Sequence, residues 1–138
     1  MIAYGQRGAA IAAAAQSQIG VSFRLHGRTP GLMLDCVGLV QAALTSAGYA
    51  ACAPTNYALR GDFVALASEY LATSGLTQQS QTEILLGDIV LVQCAPVQNH
   101  LIIAANGGFV HAHAGLRRIV FTPGEIPWPK LQIWRGSD

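Results

Sequence analysis

The order of the secondary-structure patterns along the chain predicts an α+β fold, with helices first and antiparallel strands afterwards. Stretches with a helical spacing of apolar residues occupy the first half of the sequence. Beyond residue 75 the apolar residues form short runs separated by turn residues, which is typical of buried strands. The chain has 138 residues, of which 51% are apolar, so it is expected to form one domain over residues 1–138.

The helices are predicted from good helix formers and from the residues that begin or end them. An alanine-rich stretch ends at Gly20, Asp35 offers an N-cap, and Gly75 follows a third apolar-faced stretch. Glycine and proline in the connecting segments favour loops. The predicted helices are 7–19, the stretch from Asp35 to about Gly48, and 60–74; the predicted loops are 20–34 and 50–59.

The second half predicts an antiparallel sheet against which the helices pack. Gly87 and Asp88 form a turn before the first strand, and Asn106-Gly107-Gly108 is a hairpin turn signal. The predicted strands are Ile89–Cys94, Leu101–Ala105, Phe109–His113, Leu116–Phe121 and Leu131–Trp134.

Composition excludes several classes of function. Eight Lys and Arg against seven Asp and Glu, without a basic run, argue against a nucleic-acid binder. No apolar stretch approaches the ~20 residues of a membrane span. The alanine-rich N-terminal stretch lacks the strongly apolar core of an export signal, so we expect synthesis in the cytoplasm without a signal peptide. Charged residues are only 11%, which favours assembly with other proteins or with further copies of the chain.

Cys36 is the candidate nucleophile among three cysteines, which also include Cys52 and Cys94. It follows the N-cap Asp35, and at a helix N-terminus the unpaired N–H groups and the dipole favour a thiolate and can hold an oxyanion. Gly38 would let a neighbouring element approach this helix. The alternative is a buried structural cysteine. The odd number of cysteines and the absence of a Cys-x-x-Cys pair argue against disulfides and a zinc knuckle.

Three histidines in the predicted hairpin offer a base for this thiol. A nucleophilic thiol needs a base, and the base needs an orienting group. His100 opens a strand and is the candidate base, and His111 on the next strand is the candidate orienting group. His113 shares a strand face with His111 and is expected to face the substrate or to replace His111. The alternative is a zinc site formed by these histidines, which would leave Cys36 unexplained.

Four segments in order resemble the NlpC family of papain-like cysteine peptidases, over residues 20–113. They correspond to the nucleophile motif, the start of the first core strand, the strand of the base and the strand of the third polar residue. These segments are Asp35-Cys36-Val37-Gly38-Leu39-Val40, Gly87-Asp88-Ile89-Val90, Asn99-His100-Leu101-Ile102-Ile103 and Phe109-Val110-His111-Ala112.

The resemblance implies a papain-like fold and a Cys–His–His triad that requires no metal or cofactor. Cys36 would attack a carbonyl, His100 would act as general base and acid, and His111 would orient His100. The family cleaves peptidoglycan stem peptides, most often after a γ-linked D-glutamate. The implied activity is a γ-D-glutamyl endopeptidase or a related amidase that acts on the cell wall.

The chain departs from the family pattern before the nucleophile. Phe23 stands where many members have a tyrosine whose hydroxyl lines the oxyanion site, which keeps open a non-catalytic, peptidoglycan-binding or structural tail component. The loop Arg24–Leu34 is similar to variants carried by phage tails and gene transfer agents, which implies action within a phage-like particle. The residues expected to contact substrate are Phe23, Asp35, Tyr57 and His113.

Overall fold

The three helices and the five longer strands of the protein follow one another in the predicted order. The computed structural model describes residues 6–58 and 63–136. The helices are α1 (Gln6–Gln16), α2 (Cys36–Ser46) and α3 (Val64–Thr73). The strands are β1 (Ser22–Phe23), β2 (Arg28–Thr29), β3 (Met33–Leu34), β4 (Leu76–Gln79), β5 (Ile89–Ala95), β6 (Gln98–Ala105), β7 (Gly108–His113), β8 (Arg118–Pro123) and β9 (Lys130–Gly136).

The strands form one sheet in the order β2-β3-β1-β8-β7-β6-β5-β9-β4. All neighbouring strands are antiparallel except β1 and β3, which are parallel. Because side chains alternate along a strand, β5 and β6 send one set of apolar residues to each face. One set belongs to the main core with the helices, and the other packs with Phe109 and Trp128 in a smaller cluster on the opposite face.

Helix α2 is the most deeply buried helix of the described residues. Its residues Leu39, Val40 and Leu44 are fully buried, and it packs against α1 and against β6 and β7. A side chain at Gly38 would collide with the carbonyl oxygen of Gly27, so the loop before α2 crosses the helix at a position where only glycine fits. The close approach expected at Gly38 is therefore confirmed.

The predicted α+β fold is confirmed, and each of the five predicted strands overlaps an observed one. The prediction that residues 20–34 form only a loop is wrong, because β1, β2 and β3 lie there. The sheet also includes β4 before Ile89, and the pairing of β1 with β3 makes it mixed. Strands of two residues are too short to show an alternating pattern, and β4 carries a single apolar residue.

Boundaries differ by a few residues at other elements. The predicted strand Leu116–Phe121 begins only at Arg118, because Leu116 and Arg117 lie in the turn after β7. The predicted helix 60–74 is observed as α3, and positions 60–62 lie outside the described residues. Within those residues no helix is both long and apolar enough to span a membrane.

Candidate active site

The first residue of α2 is Cys36, and the residue before it holds the end of the helix in place. Asp35 has extended backbone angles, and its Oδ1 accepts a hydrogen bond of 2.8 Å from the Gly38 N–H, as an N-cap does. The backbone N–H groups of Val37 and Leu101 face the thiol of Cys36 and act to lower its pKa. Leu101 belongs to β6, so the N-terminus of α2 abuts that strand at the thiol.

The N-terminus of α2 meets β6 in the part of the strand that is not paired with β7. Their ladder joins Ile103–Ala105 to Gly108–Val110. The two histidines, His100 and His111, lie beyond its last pair. They line one pocket together with Cys36.

The two histidines and a threonine form a hydrogen-bonded chain. His100 Nε2 lies 3.1 Å from His111 Nδ1, and His111 Nε2 lies 3.0 Å from the Oγ1 of Thr122 on β8. With Thr122 as the acceptor, His111 carries its proton on Nε2 and accepts at Nδ1 from His100. This arrangement leaves Nδ1 of His100 as the ring nitrogen with a free lone pair, which is the tautomer that a general base requires.

Burial keeps both partners of the expected thiol–imidazole pair uncharged. It lowers the pKa of His100 to about 3, with smaller contributions from His111 and His113. It raises the pKa of the Cys36 thiol to about 12, and the negative charge of Asp35 adds to this rise. The N–H groups at the sulfur oppose the shift but are outweighed. The backbone groups at the helix start therefore favour the thiolate as expected, but burial outweighs them and the resting thiol stays protonated.

The carboxylate of Asp35 is the centre of a polar network under the pocket. The Asp35 side chain accepts from Arg28 Nη1 at 2.8 Å, from the His26 N–H at 2.8 Å and from the Tyr57 hydroxyl. Arg28 Nη2 also donates to the Tyr57 oxygen at 2.7 Å and to the Pro54 carbonyl at 2.6 Å. The network ties the loop before α3 to the beginning of α2.

All four residues expected to contact substrate line the same pocket. Tyr57 contributes its ring, since its hydroxyl is engaged by Asp35 and Arg28, and Phe63 stacks on it at 6.0 Å between ring centroids. His113 Nδ1 accepts from the Leu116 N–H at 3.0 Å, so the histidine beside His100 is His111. Phe23 forms part of the wall. Their contacts with a substrate stay predictions.

Three residues that sequence reasoning did not assign to the site contribute to it. Thr122 ends the histidine chain, Arg28 neutralises Asp35, and the Trp128 ring lies edge-on to His100 and His111 at 6.3 and 5.7 Å between centroids. Arg28 could have been predicted, because a chain with few charged residues places this arginine only seven residues before the N-cap Asp35. Thr122 carried none, because threonine is common in any strand.

This arrangement is suited to attack of a thiol on a carbonyl group. The candidate nucleophile, base and orienting group share one pocket, and the helix N-terminus offers backbone donors to a developing negative charge. Across residues 6–58 and 63–136, no three His, Cys, Asp or Glu side chains are arranged to hold a metal ion.

Solved structures with the same fold are NlpC and P60 domains. NlpC1 from Trichomonas vaginalis has a TM-score of 0.69 and 19% identity, covering 98% of this chain and 47% of that one. The peptidoglycan hydrolase RipB from Mycobacterium tuberculosis has a TM-score of 0.59 and 19% identity, covering 96% and 66%. The P60 domain of an antigen from M. avium subspecies paratuberculosis has a TM-score of 0.62 and 16% identity, covering 95% and 94%.

The chain spans about half the length of NlpC1 and of NlpC2, a second Trichomonas protein with a TM-score of 0.68. No protein-family model matches the sequence, and no curated protein matches it. The likeness therefore assigns the papain-like NlpC/P60 fold to the chain.

Proposed function

We propose that this protein is a cysteine peptidase that hydrolyses the stem peptides of peptidoglycan. Cys36 is the nucleophile, His100 is the general base and acid, and His111 orients His100. The observation that carries the proposal is the chain from His100 through His111 to Thr122, in the same pocket as a thiol at the N-terminus of α2.

The shifted pKa values support a mechanism in which proton transfer accompanies the attack. Because Cys36 and His100 are both neutral at pH 7, the thiol proton passes to Nδ1 of His100 as the sulfur attacks the carbonyl carbon. The imidazolium then donates from Nε2 to His111, and the Cys36 backbone N–H is available to the oxyanion. His100 returns the proton to the leaving amine, and water hydrolyses the thioester by the same steps in reverse.

The substrate class rests on the fold and on the four motifs together. One neighbour of the same fold is a peptidoglycan hydrolase, RipB. The motifs around Cys36, His100 and His111 resemble those of peptidases that cleave after γ-linked D-glutamate. We therefore assign the bond between γ-D-glutamate and the following diamino acid as the scissile bond.

A role within a phage-like particle is the second part of the proposal. It is supported by the likeness of the loop Arg24–Leu34 to phage-tail variants and by a charged fraction of only 11%. Co-sedimentation of the protein with assembled particles, lost after particle disruption, is the expected result. Recovery only as free protein would contradict it.

The activity is tested by digesting purified peptidoglycan and analysing the released fragments by mass spectrometry. We expect new amino termini on the diamino acid and new carboxyl termini at γ-D-glutamate. A parallel digestion with a metal chelator should release the same fragments, because His100 and His111 bond each other instead of converging on an ion. No release at all would favour a non-catalytic role, and release that the chelator abolishes would favour the three-histidine metal site.

A further inference from the structure

Three exposed arginines lie together where β1 meets the beginning of β8. The Phe23 N–H donates to the carbonyl of Arg117 at 2.9 Å, and Ser22 pairs with Arg118 across the two strands. Arg24 follows directly in the chain. All three side chains are exposed. We refer to Arg24, Arg117 and Arg118 as the arginine rim.

The charge of the arginine rim is not compensated by the carboxylates of residues 6–58 and 63–136. Within these ranges no hydrogen bond or ion pair involves a rim side chain. Asp35 and Asp88 are buried and paired with other arginines. The remaining described carboxylates lie elsewhere, on α3, between β4 and β5, and beyond the opposite end of β8; they are Glu69, Glu83 and Glu125.

The arginine rim adjoins the mouth of the active-site pocket. Phe23 and Leu25, on either side of Arg24, line the pocket, as does Gly115 in the turn that leads to Arg117. Unpaired charges of one sign beside a cleft raise the local concentration of ligands of the opposite sign. A ligand that extends from the pocket over this wall therefore meets a positive surface.

The backbone at Arg117 has a conformation that arginine does not favour. Its φ is 58°, in the left-handed region where glycine and asparagine are the usual residues. The chain holds a charged side chain here despite a strain of about 1 kcal/mol. Ordinary turn formation does not require an arginine at this position.

We propose that the arginine rim binds a free carboxylate of the peptide substrate, next to the Phe23 wall of the pocket, and so favours substrates with free acids over amidated ones. This inference rests on the proposed function. Stem peptides carry carboxylates on γ-linked glutamate and on the diamino acid, and conversion to carboxamides removes their charge without changing their length. Exposed arginines contribute modestly one by one, so the rim acts through the sum of the three.

The test compares a muropeptide bearing free carboxylates with the same peptide in which they are carboxamides. We expect wild-type protein to have a higher kcat/KM for the acid, and the triple variant Arg24→Gln/Arg117→Gln/Arg118→Gln to lower that value by about 3- to 10-fold. The preference should also shrink as salt increases, because exposed charges are screened. Lys130→Gln, an exposed cation on β9, is the matched control and should keep the preference.

Binding to the Cys36→Ala variant separates this inference from the proposed function. This variant, with and without the three rim substitutions, is titrated with both peptides by calorimetry. The inference is supported if the acid binds more tightly than the amide and the rim substitutions abolish this difference. This holds whether or not the wild-type protein cleaves either peptide. Equal binding of acid and amide, or a preference that survives the triple substitution, overturns it. Absence of cleavage alone would count only against the peptidase.

Discussion

Two aspartates, Asp35 and Asp88, are buried to nearly the same extent, with 2% and 1% of their surface exposed. Each forms an ion pair of 2.8 Å with one arginine. At Asp88 the partner is Arg135, which donates through two nitrogens to the two carboxylate oxygens. Leu85 donates its N–H as well. This pair joins β9 to the start of β5.

Asp35 has the same type of ion pair but lies one residue before Cys36, the proposed nucleophile. Its donors come from the helix it caps, from Arg28 on β2 and from the hydroxyl of Tyr57. Its charge also acts on the pKa of Cys36. One buried carboxylate therefore joins strands, and the other sets the beginning of a helix and the electrostatics of a thiol. Substitution of Asp88 should lower the free energy of unfolding, whereas conservative substitution of a residue that donates to Asp35 should lower the catalytic rate.

The largest effect that would test this comparison is expected for Asp88→Ala. Removal of one partner leaves the Arg135 charge half-buried without its carboxylate, which costs about 3–5 kcal/mol of unfolding free energy. Urea denaturation measures the loss, and activity per folded molecule should stay at the wild-type level. The double variant Asp88→Ala/Arg135→Met should regain part of the stability. A folded Asp88→Ala protein with a reduced kcat would remove the distinction between the two sites.

Tyr57→Phe should have the next largest effect, and it should reduce activity more than stability. The ring that lines the pocket remains, but Asp35 loses a hydroxyl donor and its less compensated charge opposes proton loss from Cys36. We expect kcat/KM to fall about 10- to 100-fold, since hydrogen bonds to charged groups contribute about 1.5–3 kcal/mol. Tyr49→Phe is the control, because the buried Tyr49 hydroxyl has no partner among the described residues. Equal losses in the two variants would contradict this expectation.

Thr122→Val should cost less, because Thr122 acts two steps away from the thiol. The substitution keeps the shape of the side chain and removes the oxygen beside His111 Nε2. We expect a decrease of about 2- to 5-fold in kcat, corresponding to one neutral hydrogen bond. Thr77→Val, on β4 at the far edge of the sheet, should leave kcat unchanged. An unchanged kcat in Thr122→Val would show that His111 needs no orienting partner.

A separate effect, which involves the pocket histidines alone, is expected on the pH dependence of stability. In the folded protein the pKa of His100 is about 3 and that of His111 about 4, both below the 6.5 of an unfolded chain. Between these values the unfolded chain binds more protons, so the unfolding free energy falls as the pH drops from about 6.5 toward 4. Urea denaturation at several pH values should show a shallower fall in His100→Gln. Parallel curves would mean that His100 is not desolvated.

The sequence predicts the parts of the site that are local in the chain. The N-cap at Asp35, the position of Cys36 at a helix start and the hairpin that brings His100 near His111 follow from spacing and turn residues. All three features are observed. Local patterns also predicted the five longer strands, since their runs of apolar residues are bounded by glycine, proline and asparagine.

What the sequence did not predict depends on contacts between distant segments. A thiolate at Cys36 was predicted from its position at a helix N-terminus alone. The thiol is instead protonated, because burial against the rest of the fold raises its pKa. Thr122 and Arg28 reach the site through strand pairing and loop packing that no local pattern encodes. The short strands β1, β2 and β3 form because neighbouring strands offer hydrogen bonds, and two residues carry no periodicity.

The central claim is that Cys36 is the nucleophile, and Cys36→Ala compared with Cys52→Ala tests it most directly. Release of new amino termini from peptidoglycan is measured for both variants, with thermal unfolding as a check on the fold. Cys52 is exposed and does not line the pocket, so its variant should keep wild-type activity. We predict that Cys36→Ala unfolds at a temperature close to that of the wild-type protein and releases at least about 1,000-fold less. Undiminished release by Cys36→Ala would contradict the thiol mechanism.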